Sequence, residues 1–163
     1  MKEYLKILTQ SKLFTGIRGT ELDAILNCLA PTKNNFKKGA YIFRDGEQIS
    51  SMGLVLRGSV HILKEDYWGN RTILAEVQTG QLFGEAYACS ETAKVSVNAV
   101  SVQESAILFF DVRRILSPCS AGCPFHVQMC IRDSVCTVFR LIRCNHQSGN
   151  GNRRGPDVCY SYI

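Results

Sequence analysis

The chain has 163 residues, of which 45% are hydrophobic and 20% charged, with a formal net charge of +5. That is the composition of an ordinary soluble globular protein, with room for one core or two small ones. No run of eighteen apolar residues is present to span a membrane. The opening Met1 to Lys6 lacks the long apolar stretch and small-residue cleavage site of a signal peptide, so the expected location is the cytoplasm and the expected membrane partner is none.

Charge and cysteine are unevenly distributed. Through Gln128 there are fourteen Lys/Arg against twelve Asp/Glu, whereas the last thirty-five residues add five Arg and no Lys against Asp133 and Asp157. The eight cysteines divide into Cys28, Cys89, Cys119 and Cys123 before that point and Cys130, Cys136, Cys144 and Cys159 after it. A cytoplasmic chain of this size keeps them reduced.

Along the chain, Tyr4, Leu5, Ile7 and Leu8 recur at helical spacing. Thr20, followed by Asp23, reads as an N-cap with an acidic first turn. Leu22, Ile25, Leu26 and Leu29 form the apolar stripe of that helix, and Pro31 ends it. From Ala40 the period shortens. Ala40 to Phe43, Met52 to Leu56, Ser59 to Leu63, Thr72 to Val77, Val95 to Val102 and Ala106 to Phe110 read as strands, with turn signals at Arg44-Asp45-Gly46, Arg57-Gly58, Trp68-Gly69-Asn70 and Gly80. Strands recurring at this spacing without βαβ alternation predict a mainly β fold with flanking helices, an antiparallel roll or jelly roll. Tyr67 and Trp68, beside a turn, are expected to pack against that roll. Asp111 caps a helical turn over Val112 to Leu116, and Pro124 opens a further helix beginning Phe125 to Gln128.

Three segments carry a resemblance. Lys37-Lys38-Gly39-Ala40-Tyr41-Ile42-Phe43 with Gly46-Glu47 comes first, then Gly53-Leu54-Val55-Leu56-Arg57-Gly58-Ser59-Val60, then Gly80-Gln81-Leu82-Phe83-Gly84-Glu85-Ala86. In that order and spacing, residues 1 to about 128 resemble the cyclic-nucleotide-binding-like sensor domain of bacterial Crp/Fnr transcriptional regulators. The run from Cys119 to His126 is most similar to those of anaerobic Gram-positive bacteria. The resemblance implies a sensor over 1–118, the start of a dimerisation helix over 119–128, and no catalytic residues. It implies homodimerisation and DNA binding in the intact parent.

The third segment resembles the start of the phosphate-binding cassette, in which backbone N–H groups form an anion-binding concavity and Gly84 allows close approach. Phe83, Gly84, Glu85, Ala86, Lys94, Val95 and Ser96 are the candidate effector-binding residues. In cyclic-nucleotide-binding members the cassette Glu holds the ribose 2′-hydroxyl, a role that falls on Glu85, and a later Arg pairs with the phosphate. Thr92 to Val97 contains no arginine, only Lys94, and an ammonium cannot make the bidentate contact. A small effector other than a cyclic nucleotide, or a degenerate pocket, is therefore expected, with no certain cofactor.

Cys119, Cys123 and His126 are close enough in sequence to ligate zinc or an iron–sulfur cluster, with Cys28 and Cys89 as further donors if the fold brings them near. Cys-x3-Cys is not the standard Cys-x2-Cys spacing, however, so no metal is expected, and the favoured reading is a helix cap at Cys123 with the others as buried small hydrophobes. Arg113 and Arg114 read as a solvated basic face. Glu85 has no His or second carboxylate in a recognisable catalytic motif, so an enzyme is not expected. Met129-Cys130-Ile131-Arg132-Asp133-Ser134 resembles a one-frame translation of a transposon end used as a sequencing-library adapter. Residues 129–163 are accordingly expected to be a chimeric or disordered tail without a helix-turn-helix, and the chain as given is not expected to bind specific DNA. The function expected is the effector-sensing domain of a Crp/Fnr-type regulator. The alternatives are a standalone ligand-binding module, or a cysteine-based metal or redox sensor.

Overall fold

The computed structural model describes residues 2–14, 17, 19–90 and 92–116. The dimerisation helix, the tail and the Cys119, Cys123 and His126 cluster anticipated from the sequence lie outside the described residues.

Helices come first: a 3-10 turn at Lys2–Tyr4, α1 at Leu5–Gln10, a 3-10 turn at Lys12–Phe14 and α2 at Gly19–Leu29. Eight strands follow: β1 (Thr32–Phe36), β2 (Tyr41–Phe43), β3 (Ser51–Arg57), β4 (Ser59–Glu65), β5 (Arg71–Gln78), β6 (Leu82–Phe83), β7 (Asn98–Ser101) and β8 (Ser105–Asp111). A short α3 (Glu85–Ala88) sits between β6 and β7, and α4 (Val112–Leu116) follows β8. The strands form two four-stranded antiparallel sheets, ordered β1-β8-β3-β6 and β2-β7-β4-β5. The predicted mainly β roll with flanking helices is the observed architecture.

Period-two alternation divides β3 and β8 between two cores. Met52, Leu54 and Leu56 of β3, with Ala106, Leu108 and Phe110 of β8, pack against Leu8, Leu13, Phe14, Leu22, Ile25, Leu26, Leu29, Val112 and Ile115 from the helical layer. Val55 and Ile107, on the opposite face, pack against Phe43, Val60, Val77 and Ala99 of the second sheet. The molecule is thus three layers deep: helices, first sheet, second sheet. Phe14 meets Phe110 edge to face with ring centroids 5.6 Å apart, a contact worth about 0.5–1.5 kcal/mol beyond its buried area.

α2 begins at Gly19, so Thr20 lies within its first turn and not at the cap position predicted for it, while Glu21 supplies the negative charge that suits a helix start. At the other end the Ala30 amide donates to the Leu26 carbonyl at 2.8 Å, with Ala30 left-handed at φ 42°. That closure usually employs glycine. Here it falls on an alanine, in front of a proline that already disfavours helical backbone at the preceding residue. α4 is capped as the sequence indicated: the Arg113 amide donates to Asp111 Oδ1 at 2.9 Å. Arg113 also pairs with the Asp111 carboxylate at 3.1 Å.

β1 was not anticipated, because Thr32-Lys33-Asn34-Asn35-Phe36 lacks an apolar alternation. It is an edge strand paired on one side with β8, and its four leading residues are exposed. A polar edge carrying Lys33 discourages further strand pairing. Lys33 Nζ reaches Tyr4 Oη at 3.2 Å and Glu3 at 3.6 Å, fastening the N-terminal turn over this edge.

Tyr67 and Trp68 correct the sequence reading: they do not pack against the roll. They are 96% and 82% exposed, stacked edge to face on each other at the tip of the β4–β5 hairpin. The turn holds itself without them. The Asp66 carboxylate accepts from the amides of Trp68 and Asn70 at 3.0 and 2.8 Å and from Asn70 Nδ2 at 2.8 Å, and Gly69 supplies a positive φ of 83°. Those bonds, the Asn70 side chain first, hold the Asp66 carboxyl below the usual carboxylate range.

Three substitutions follow. Ala30→Gly relieves left-handed strain of about 1–2 kcal/mol against an unfolded-state entropy cost of about 0.4–1 kcal/mol. A net gain of about 0.5 kcal/mol is expected from urea unfolding, and a loss would contradict the strain. Tyr67→Ser and Trp68→Ser should each leave stability within about 0.5 kcal/mol of the parent; a cost above about 2 kcal/mol would mean the aromatic pair does pack.

Candidate functional site

The site is a loop–helix–loop between β5 and β7. Gly80 turns the chain at φ 88°, its amide donating to the Val55 carbonyl at 2.8 Å, and the Val55 amide donates to the Gln81 carbonyl at 3.1 Å. The segment is thereby laid along β3, and β6 pairs Leu82 with Leu54 and Phe83 with Gly53. Gly53 is required at that crossing, since a Cβ there would lie 2.5 Å from the Phe83 ring. Phe83 is buried and faces Phe43 with ring centroids 6.0 Å apart.

Gly84 is the N-cap of α3 with φ 78°, and a Cβ there would sit 3.2 Å from Ile49 Cδ1 and 3.5 Å from Phe43 Cε1. Both the backbone conformation and the close packing favour glycine. α3 is then closed by Ala88 N donating to Gly84 O at 2.9 Å and Cys89 N to Glu85 O at 3.0 Å. Of the predicted cassette residues, Phe83 is buried, Gly84 and Glu85 are half-buried and Ala86 is exposed.

The second predicted group, Lys94-Val95-Ser96, runs beside the turn after β2. The Gly46 amide donates to the Val95 carbonyl at 2.7 Å and the Val95 amide to the Glu47 carbonyl at 2.8 Å. Val95 is buried in the same cluster as Phe83, while Lys94 and Ser96 are exposed. The strand expected from Val95 begins instead at Asn98.

Sequence reasoning missed Tyr87. Its ring packs against the inner cluster and its hydroxyl lies 2.8 Å from Ser96 Oγ, tying α3 to the second group of residues. An aromatic three residues after Gly84 is the only sequence signal for it. Ile49 was missed as well, since it lies in a loop without periodicity.

Glu85 and Cys89 are one helical step apart. Burial first, and the Glu85 charge second, pushes the Cys89 thiol up from its ordinary value of 9.0 to about 12. Cys89 is a free thiol and Cys28 is half-buried on α2. Among the described residues no group of three or more His, Cys, Asp or Glu is placed to hold a metal. No described helix is long and apolar enough to cross a membrane.

The family model "Cyclic nucleotide-binding domain" matches residues 33–120, more than half of the chain. The chain belongs to the cyclic nucleotide-binding domain family. Its fold is shared with the sensor domain of the transcriptional regulator DNR from Pseudomonas aeruginosa, at 20% identity and TM-score 0.62, over 93% of this chain and 97% of that one. It is similar also to the Thermus thermophilus Catabolite Activator Protein, at 22% identity and TM-score 0.61, over 83% of this chain and 58% of that one. A regulatory protein from Silicibacter pomeroyi DSS-3 aligns at 18% identity and TM-score 0.60, over 90% of this chain and 61% of its own length. The chain therefore spans roughly three-fifths of the longer proteins it resembles. No curated protein sequence matches it.

Because its pKa is raised on folding, Cys89 contributes stability that is present in full below pH 9 and is lost as pH rises toward 12. Urea unfolding of the parent should weaken more steeply between pH 9 and 11 than that of Cys89→Ala, where this component is absent. Equal slopes for the two proteins would show that the thiol is not perturbed.

Proposed function

We propose that this chain is the effector-sensing domain of a Crp/Fnr-type transcriptional regulator, binding a small molecule between the cassette and the roll. The observation that carries the reading is the left-handed Gly84 between buried Phe83 and α3, packed on Phe43 and Ile49. A glycine so placed lets the backbone pack closely on Phe43 and Ile49, and the leading N–H groups of α3 have no partner within the helix. The family match and the fold shared with the DNR sensor domain support the same reading.

The effector is proposed to be a small molecule other than a cyclic nucleotide. Thr92 to Val97 holds no arginine, and Lys94 is an exposed ammonium without the planar fork that clamps a phosphate. Dimerisation and operator binding belong, on this proposal, to the longer regulator, with ligand shifting the population of DNA-competent dimers. No catalytic role is proposed for Glu85.

Thermal melts across a panel of metabolites, with cyclic AMP and cyclic GMP included, test this. An effector present at about one hundred times its Kd should raise stability by about 2.7 kcal/mol. Gly84→Ala should abolish that shift, and the cyclic nucleotides should produce none. A large shift with cyclic AMP would overturn the effector class. A shift that survives in Gly84→Ala would move the site away from the cassette. Salt-dependent operator binding by the full-length regulator separates this reading from a standalone binding module.

A further inference from the structure

What holds the cassette on the roll follows from the weakness of α3. Four residues without a side-chain cap form a single turn, and an isolated turn has little stability of its own. Gly84 anchors its start against Phe43 and Ile49. Farther along, the fixing contact on the roll side is Tyr87, whose ring lies on the inner cluster and whose hydroxyl meets Ser96 Oγ at 2.8 Å.

Ser96 stands on a firm base. Val95 before it exchanges backbone hydrogen bonds with Gly46 and Glu47 and is 1% exposed, and Val97 after it is buried. The Tyr87–Ser96 bond therefore joins a weak helix to a rigid segment. Resting on the effector-binding reading above, we propose that this bond is a latch. It holds the cassette closed while no effector is bound, and an effector must break it to be seated.

Each hydroxyl can donate and accept, so water satisfies both once the pair opens, and the seated effector need bond to neither. An exposed neutral hydrogen bond changes an opening equilibrium by only about two- to fivefold. A latch of that strength yields to a small ligand without trapping the site shut.

Hydrogen exchange on the whole chain, compared with Tyr87→Phe, Ser96→Ala and the double variant, tests the latch. Tyr87→Phe keeps the ring and its packing, so it is the variant that isolates the bond. Amides of residues 85–90 should exchange about two- to fivefold faster in each single variant, and the double variant should be no faster than either. Amides of β3 and β8 should be unchanged. Unaltered exchange over 85–90, or acceleration spread through β3 and β8, would overturn the proposal.

A compound that shifts the parent melt should also bind Tyr87→Phe about two- to fivefold more tightly, because the open form is then more populated. Weaker binding would make the Tyr87 hydroxyl a ligand contact and refute the latch. A panel that yields no binder counts against the effector reading, while the exchange experiment still decides the latch.

Discussion

The structure depends on one constraint: the first sheet is covered on both faces. A strand exposed on one face can alternate apolar and polar residues, but β3 must be apolar from Met52 to Leu56, because one set of these residues faces the helices and the other faces the second sheet. Leu54 and Val55 are adjacent, fully buried, and belong to different cores. Burying a side chain of this size is worth about 1.5–3 kcal/mol, so central strands that fill two cores outweigh the polar edge strands beside them. The same constraint sets the cassette. β6 pairs with β3 at Leu54 and Gly53, and because Gly53 carries no side chain the Phe83 ring can lie over it in the roll core.

This explains which parts of the fold were legible in the sequence. Continuous apolar runs at Met52 to Leu56 and Ala106 to Phe110 stand out because two-sided burial leaves no polar positions between them. Local capping was legible too, since the Asp111 bond to the Arg113 amide joins residues two apart. β1 was not legible. Its exposed residues carry no core pattern, and only its pairing with β8, with Thr32 opposite Phe109 and Phe36 opposite Ser105, makes it a strand. Tyr67 and Trp68 misled in the opposite direction: their size suggests burial, but Asp66 and Gly69 satisfy the hairpin turn locally and leave the rings without packing partners in the roll.

For the site, Gly84 was singled out by its place in the cassette-like segment, and the structure gives it a left-handed cap beside Phe43 and Ile49 that favours glycine. Tyr87 was not, because its partner Ser96 is brought to it by the turn between β2 and β3 and by the Val95 bonds to that turn, neither of which has a local signature. The cassette residues named from sequence thus fall into two groups, and the side chain that joins the groups is one the sequence did not single out.

The cassette also has two faces. Leu82, Ala88 and Cys89 pack against the helical core, and Phe83 and Tyr87 against the roll core, although the whole segment is only eight residues long. Val112 and Ile115 of α4 lie in that same helical core. Protein interiors are close-packed, so a shift of α3 toward or away from the roll cannot be absorbed on one side alone. Moving Tyr87 carries Ala88 and Cys89 with it, so the roll core and the helical core that contains Val112 and Ile115 both respond. The raised pKa of Cys89 marks how far that side of α3 is withdrawn from water. A ligand that opens the exposed hydroxyl pair would therefore be felt in both cores, through packing, with no charged side chain needed to transmit it.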